Sequence, residues 1–427
     1  MRILLIEFNP FQPAHTPISL GYLAACLKKE GFPAEILNVG SDTRLSVEGM
    51  RQFLLHLRPA IIGLSAYQRN MFFLSGLAAL CKSVLPGCHI AIGGPQATFL
   101  PAEALSELPS IDLICRSEGE VALLGLANRI REGRPVRGLE GWSGRNGDGT
   151  FWNGRCLEGA TDLDQYPSPY LDGTLNLEGA EEAILLSSRG CPFDCAFCYT
   201  PRAFGKKVRF HSVERVLEEM HWISRQGLTR FWFADPSFTF REDRVHRFLD
   251  GILSSGLKAQ IWLETRVDLV GLEILRKMRR AGVHTVAYGL ESASEAVRRK
   301  IRKPLEIDEI DRAIHLTQEA GIDVEIFTQY GLPGESYEDA CRTLSFLQEN
   351  RVPIRGNTNA QQMQIYFGTD IQGALEEFGV RPFPEILPPY LSTGHRYETG
   401  SMSAEQIQRL GRMWKAASLD GGKHIVS

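Results

Sequence analysis

Short apolar runs alternate with stretches in which apolar residues return every three or four places, and this pattern fills the first third of the chain. Ile3–Ile6, Ala34–Val39, Ile61–Ser65, Ile90–Ile92 and Leu113–Cys115 read as buried parallel strands, because strands covered on both faces lose the polar alternation of half-exposed ones. Between them, Leu20, Leu23, Ala24 and Leu27 share one helical face, as do Met50, Phe53, Leu54 and Leu57, then Leu74, Leu77, Ala78 and Cys81, then apolar positions of 121–130. Five such units predict an α/β domain over residues 1–135, a Rossmann-like doubly wound parallel sheet. Ligands of such sheets bind at the loops beyond the carboxyl ends of the strands.

Residues 136–180 read as a linker, with Gly, Asn and Asp between Gly138 and Gly154 suited to a hairpin or loop. Alternation then resumes. Strands are expected at Ala183–Ser187, Phe231–Ala234, Ala259–Glu264, Thr285–Leu290, Val324–Gln329 and Gln362–Tyr366, with amphipathic helices such as Val213–Ser224, Val245–Ile252, Glu273–Arg280 and Ile307–Glu319 between them. Six units predict a partial (β/α)6 barrel, its core over 181–351. Its last strand and a small α-rich segment occupy 352–427, with a helix near Ala404–Ala417.

Composition narrows the partners more than the fold. In 427 residues, 43% are apolar and 23% charged, ordinary for a globular chain. A net charge of −4 offers no electrostatic attraction for nucleic acid or an anionic membrane. No apolar run reaches transmembrane length, and Met1–Ile6 reads as a strand rather than a secretory leader, so the expected location is the cytoplasm.

Chemistry concentrates in Arg189-Gly190-Cys191-Pro192-Phe193-Asp194-Cys195-Ala196-Phe197-Cys198-Tyr199, directly after the first barrel strand. The C-x3-C-x2-C spacing lets three thiolates hold three irons of a [4Fe–4S] cube and leaves the fourth iron open. Zinc would want a second cysteine pair, which is missing, and His211 falls in another register. A disulfide framework fits neither the nine cysteines nor the length.

This run resembles the signature of the radical SAM enzymes, in which the open iron chelates S-adenosylmethionine (SAM) and cleaves it to a 5′-deoxyadenosyl radical. Further loops extend the resemblance. Tyr199 follows the last cysteine, where the family places an aromatic beside adenine. Phe231–Thr239 resembles D-D-x-F-T with Pro236 replacing the second acid, so Asp235 alone is carried over, as a ligand of the methionyl amine. Thr265-Arg266-Val267-Asp268 resembles T-R-x-D, with Arg266 facing the methionyl carboxylate or the substrate. Tyr288-Gly289-Leu290-Glu291-Ser292 resembles Y-G-x-E-S, with Glu291 reaching the ribose or amine. Gly331–Ser336 resembles G-L-P-G-E-[ST], whose backbone at Leu332 packs beside adenine.

Residues 1 to about 130 resemble the cobalamin-binding domain that precedes many radical SAM domains. Four loops carry the likeness: the proline-rich first loop leading to Leu20-Gly21, the Ser65–Asn70 loop, Gly93-Gly94-Pro95-Gln96-Ala97, and Glu118-Gly119-Glu120. Gln96 stands where a histidine is usual, and no D-x-H-x-x-G offers a lower cobalt ligand, as in other members of this group. The resemblance brings the Ser65–Asn70 loop to the lower face of cobalt, with Gln68 and Arg69 as the candidates to face it; an Arg there would keep the lower position empty by charge repulsion.

The implied enzyme is a B12-dependent radical SAM methyltransferase that methylates an unactivated carbon of a small molecule or natural-product intermediate, with a flavodoxin or ferredoxin as electron donor. Two alternatives stand beside it. One is a radical rearrangement, ring-forming or diol-dehydratase-like enzyme with a non-methylating cobalamin domain. The other is a non-catalytic iron–sulfur electron carrier, which the three-ligand site and the SAM-type loops disfavour. Methylthiotransferases need an N-terminal cysteine triad on loops, whereas Cys26 and Cys81 fall in helical patterns.

Overall fold

The structure is a computed structural model that describes residues 1–354, 360–385, 387–392, 394 and 396–418. Residues 355–359 and 419–427 of the expected last-strand and C-terminal regions lie outside the described residues. The chain divides into two compact units: Met1–Glu178 with Tyr366–Gly368 and Glu385–Gly394, and Gly179–Ile365 with Thr369–Pro384 and His395–Ser427.

The first unit is built on strands β1 (Ile3–Asn9), β2 (Ala34–Gly40), β3 (Ile61–Ser65), β4 (His89–Gly93) and β5 (Leu113–Cys115), all parallel, in the order β2-β1-β3-β4-β5. The chain reverses its direction of travel between β1 and β3, the position at which doubly wound sheets open a crevice for ligands. Both faces are buried, as the unbroken apolar runs require. Leu4 and Ile6 pack into one core with Leu54, Ile62, Ile90 and Ile114, while Ile3 and Leu5 pack into a second with Leu27, Ile61, Leu113 and Leu126. Truncating any of these fully buried aliphatics to alanine costs about 2–5 kcal/mol.

The linker departs from its expected role. Antiparallel strands β6 (Trp142–Arg145) and β7 (Phe151–Asn153) form a hairpin that extends the sheet beyond β5. Trp142 anchors it, its indole N–H donating 2.9 Å to the Ala122 carbonyl. Glycine-rich composition marked the hairpin, but the apolar Trp142 is what makes it part of the core.

The second unit contains β8 (Ala183–Leu185), a two-residue ribbon of β9 (Ser188–Arg189) against β10 (Arg209–Phe210), then β11 (Arg230–Phe233), β12 (Gln260–Thr265), β13 (Val283–Glu291), β14 (Asp323–Tyr330) and β15 (Ala360–Gln362). The six long-sheet strands are all parallel, in the order β15-β14-β13-β12-β11-β8, which makes an open six-stranded half-barrel. The last strand lies earlier than its expected Gln362–Tyr366, because its pairing with β14 runs only from Thr328↔Ala360 to Tyr330↔Gln362, where β14 itself ends. Helices start where side chains satisfy their first amides: Ser212 accepts from Arg215 N, and Ser336 and Ser403 each form a capping box. Among the described residues no helix is long and apolar enough to cross a membrane.

Candidate active site

The three cysteines lie on the 190–208 excursion whose two ends are zipped together by the β9–β10 ribbon. Gly190 makes the entry with φ +95; a Cβ there would stand 2.6 Å from the Lys207 carbonyl, so no other residue fits the turn without moving it. Backbone bonds fix the rest: Cys191 N to Gly205 O at 3.2 Å, Cys198 N to Cys195 O at 3.1 Å, and Ala196 N to Ile301 O at 2.9 Å. Arg202, which the sequence reading passed over, clamps the loop from below. Its guanidinium donates to the Cys198 carbonyl at 2.9 Å and to the Asp370 carboxylate at 2.8 Å.

Among the described residues no three His, Cys, Asp or Glu side chains are drawn together for a single metal ion. A cube is larger and each thiolate takes a separate iron, so the fit is judged on the loop and its charges. All three thiols are partly exposed. Burial raises the pKa of Cys191 and pushes Cys195 up to about 11, while the cations Arg266 and Lys303 pull both the other way. Iron displaces the protons on binding, and the two cations suit the negative charge of a thiolate-ligated cluster. The residues therefore fit a three-thiolate [4Fe–4S] site.

The surrounding strand ends carry the other expected residues. Arg266 stacks over the Phe193 ring of the cysteine loop at 3.7 Å and pairs with Asp268 through two bonds of 2.9 Å. Glu291 sits at a bulge in β13 with φ +66 and is held on one oxygen by Lys303 at 2.8 Å and on the other by Gln329 at 2.8 Å. Leu332 is fully buried in a turn organised by Glu335, which accepts from Gly331 N at 2.9 Å and Leu332 N at 3.2 Å. Tyr397 braces the same turn, donating to the Gly331 carbonyl at 3.1 Å. Tyr199 lies between the last cysteine and the short helix Thr200–Ala203.

Asp235 departs from its expected part. It is completely buried, and its carboxylate accepts from Ser187 N at 3.2 Å, Ser187 Oγ at 3.0 Å and Ser188 Oγ. This acid ties β11 to the segment entering the cysteine loop and presents no free oxygen to a methionyl amine.

In the first unit, the expected loops gather at the carboxyl edge of the sheet. Asn70 organises the loop after β3: its Nδ2 donates to Ser65 O at 2.9 Å and Phe8 O at 3.0 Å, and its Oδ1 accepts from Tyr67 N at 2.8 Å. Gln68 is buried and Arg69 exposed, so of the two candidates Arg69 is the one whose side chain leaves the protein surface. Gly93 ends β4, and Gly94, with φ +104, rests on the backbone of Ala66, where a Cβ would stand 3.0 Å from the carbonyl oxygen. Pro95 and Ala97 lie in the short helix that follows, Ala97 in the core. Leu20 and Gly21 lie in the first turn of helix Ile18–Lys29, with Leu20 in the core and Gly21 under Leu175. Glu118 precedes helix Gly119–Arg131, and Glu120 in its first turn is buried.

Two nitrogens on these loops, His15 Nδ1 and Gln96 Nε2, are buried without a hydrogen-bond partner among the described residues. Buried nitrogens of this kind call for partners that the protein does not supply, and the carboxamide arms of a corrin offer both donors and acceptors. The edge therefore fits cobalamin. Gly94→Ala is expected to push the Ala66–Asn70 loop outward and weaken cobalamin retention roughly tenfold, read from the corrinoid spectrum after desalting; full retention would show that Gly94 only shapes the turn.

A half-barrel with a three-thiolate loop at its strand ends and, in the same chain, a doubly wound unit with a ligand edge define an iron–sulfur enzyme that works with a second cofactor. The Radical SAM superfamily model matches residues 185–347 and the B12 binding domain model residues 9–127, together well over half of the chain. The chain belongs to the radical SAM enzymes that carry a B12-binding domain, and its cofactors are a [4Fe–4S] cluster, SAM and cobalamin. It is 28% identical over 338 residues to an uncharacterized methyltransferase of Pyrococcus horikoshii, covering 78% of this chain and 73% of that one. It is also 28% identical over 346 residues to an anaerobic magnesium-protoporphyrin IX monomethyl ester cyclase of Rubrivivax gelatinosus, covering 78% of this chain and 62% of that one. The solved structure of the radical SAM methyltransferase TsrM from Kitasatospora setae, with cobalamin and a [4Fe–4S] cluster bound, matches at TM-score 0.76 and 15% identity over 99% of this chain and 90% of that one.

Sequence reasoning missed Lys303 and Arg202. Lys303 hid in the basic run Arg302-Lys303-Pro304, which reads as a solvated surface. Only the burial of its ammonium against Glu291 sets it apart.

Proposed function

We propose that this enzyme methylates a carbon of a small molecule, with cobalamin as the methyl carrier and SAM as the second cofactor. The observation that carries the reading is the occurrence, in one chain, of the three-cysteine loop and of the Gly94 edge with its two unpartnered buried nitrogens. The methyltransferase of Pyrococcus horikoshii, of which the chain covers nearly three quarters, supports it. When bound, the cluster with SAM supplies a radical able to take hydrogen from an unactivated carbon, and cobalamin supplies a methyl group. The chain's own part is positioning. Arg202 and the β9–β10 ribbon hold the cysteine loop, Arg266 and Lys303 set a positive field around the thiolates, and Glu335 with Tyr397 fixes the Leu332 turn. A flavodoxin or ferredoxin is the expected one-electron donor.

A second reading rests on the cyclase of Rubrivivax gelatinosus, which is 28% identical to this chain, as the methyltransferase is, though less of its length is covered, and which is named for ring formation. In that case the same radical would drive ring formation or elimination without methyl transfer. Anaerobically reconstituted protein given hydroxocobalamin and desalted is expected to retain about one corrinoid per chain, and then to pass a labelled methyl group from SAM to a substrate. Retention without methyl transfer from any substrate that is otherwise consumed would favour the second reading. No retention, with SAM still cleaved to 5′-deoxyadenosine, would sink the first.

A further inference from the structure

The six-stranded sheet of the second unit has an outer face packed on helices and an inner face around which the half-barrel curls. Phe233 points outward, against Phe238 and Phe248, and Tyr288 points outward to Thr317 on helix Ile307–Glu319. Side chains alternate along a strand, so Trp232, Trp262, Glu264, Glu325 and Phe327 point inward. Trp232, Glu264 and Phe327 are only half-buried, although β11, β12 and β14 each have a strand on either side. Their exposed surface therefore opens into the interior of the half-barrel.

That interior suits a cation. The Trp262 ring meets Trp232 at 5.7 Å and 88°, and Phe327 at 6.3 Å and 61°, so three aromatic planes stand at steep angles to one another. The Trp262 indole N–H donates 3.1 Å to Glu325, which locks the central ring across β13, where the inner face carries only the small residues Ala287 and Gly289. Ring faces attract a cation electrostatically, most of all away from water. Glu264 stands two residues beyond Trp262 on the same face, level with Glu325 across Ala287. No hydrogen bond or ion pair reaches its carboxylate among the described residues. The carboxylates of Asp235, Glu291 and Glu325 act on it against one ammonium, Lys303, already committed to Glu291 at 2.8 Å. Burial, followed by the charge of Asp235, pushes the Glu264 pKa up to about 7, as for an acid that lacks its cation. A second group also wants a ligand: Trp232 Nε1 is a buried donor without a partner among the described residues.

We propose that this interior is the substrate site and that it takes a compact alkylammonium with an oxygen close to the charge, the cation lying against the aromatic rings beside Glu264 and the oxygen accepting from Trp232 Nε1. The inference rests on the reading of the chain as a radical enzyme acting on a small molecule, and it holds for methylation and ring formation alike. The probes are choline and its neutral carbon isostere, neohexyl alcohol, titrated by calorimetry into anaerobically reconstituted holoenzyme saturated with SAM. Wild type is expected to prefer choline by at least about 10-fold. Glu264→Gln keeps the shape, loses the charge and should cut that preference to about twofold or less. Phe327→Leu leaves both carboxylates in place and should weaken choline by about 3- to 5-fold with little effect on the isostere. Equal affinity of wild type for the two probes, a choline Kd weaker than about 10 mM, or an undiminished preference in Glu264→Gln would overturn the assignment. Choline binding that appears only when SAM is omitted would give the interior to SAM and overturn it as well. Formation of 5′-deoxyadenosine by the same preparation separates the two failures. A wild type that cleaves SAM yet fails the titrations overturns the substrate assignment alone, whereas one that cleaves no SAM overturns the enzyme reading and this assignment with it.

Discussion

Alanine in place of Cys191, Cys195 or Cys198 is expected to abolish SAM cleavage, lowering 5′-deoxyadenosine formation by at least about 1,000-fold. Two thiolates cannot fix three irons of a cube, and the open iron is useful only when the other three are held. The fold should survive each change. All three thiols are partly exposed, on a loop fixed by backbone bonds and by Arg202, so removing one sulfur empties no core. Iron and sulfide per chain after anaerobic reconstitution should fall together with activity, while far-UV circular dichroism stays unchanged. Cys156→Ala and Cys341→Ala, which lie outside the 190–208 segment, serve as controls and should leave both readings at wild-type values. A loop variant that kept a full cluster and full cleavage would refute the three-thiolate assignment.

The parts of this molecule that sequence made legible are those whose signal is local. β3 and β5 run from Ile61 to Ser65 and from Leu113 to Cys115, the very limits of their apolar runs, because burial on both faces leaves no ambiguity of pattern. The cysteine spacing is local in the same way. What escaped notice depends on partners distant in sequence. Glu291 and Lys303 are twelve residues apart, and Glu291 with Gln329 thirty-eight, so neither contact leaves a periodic trace. Asp235 looked like a ligand because its motif said so. Only the fold, which brings Ser187 and Ser188 onto it from nearly fifty residues away, shows its oxygens engaged.

Lys303→Met is expected to destabilise the second unit by about 3–5 kcal/mol, because it leaves the Glu291 carboxylate buried beside Gln329 alone. The geometry makes the loss hard to absorb. Glu291 is held at φ +66, a conformation that costs a non-glycine residue about 1–2 kcal/mol and that the two donors on its carboxylate oppose. The ammonium also lies against the backbone, since a Cβ at Gly289 would stand 2.2 Å from Lys303 Nζ, so water has little room to replace it. In a unit of this size the shift in melting temperature should be about 6–20 °C, measured on cofactor-free protein so that ligand binding does not mask it. The double variant Lys303→Met with Glu291→Gln removes both charges and should recover much of the loss, since a buried ion pair replaced as a whole is far less damaging than one broken in half. A single variant within about 1 kcal/mol of wild type would mean that the pair is solvated in practice, and the same result in the double variant alone confirms that Lys303 acts through Glu291.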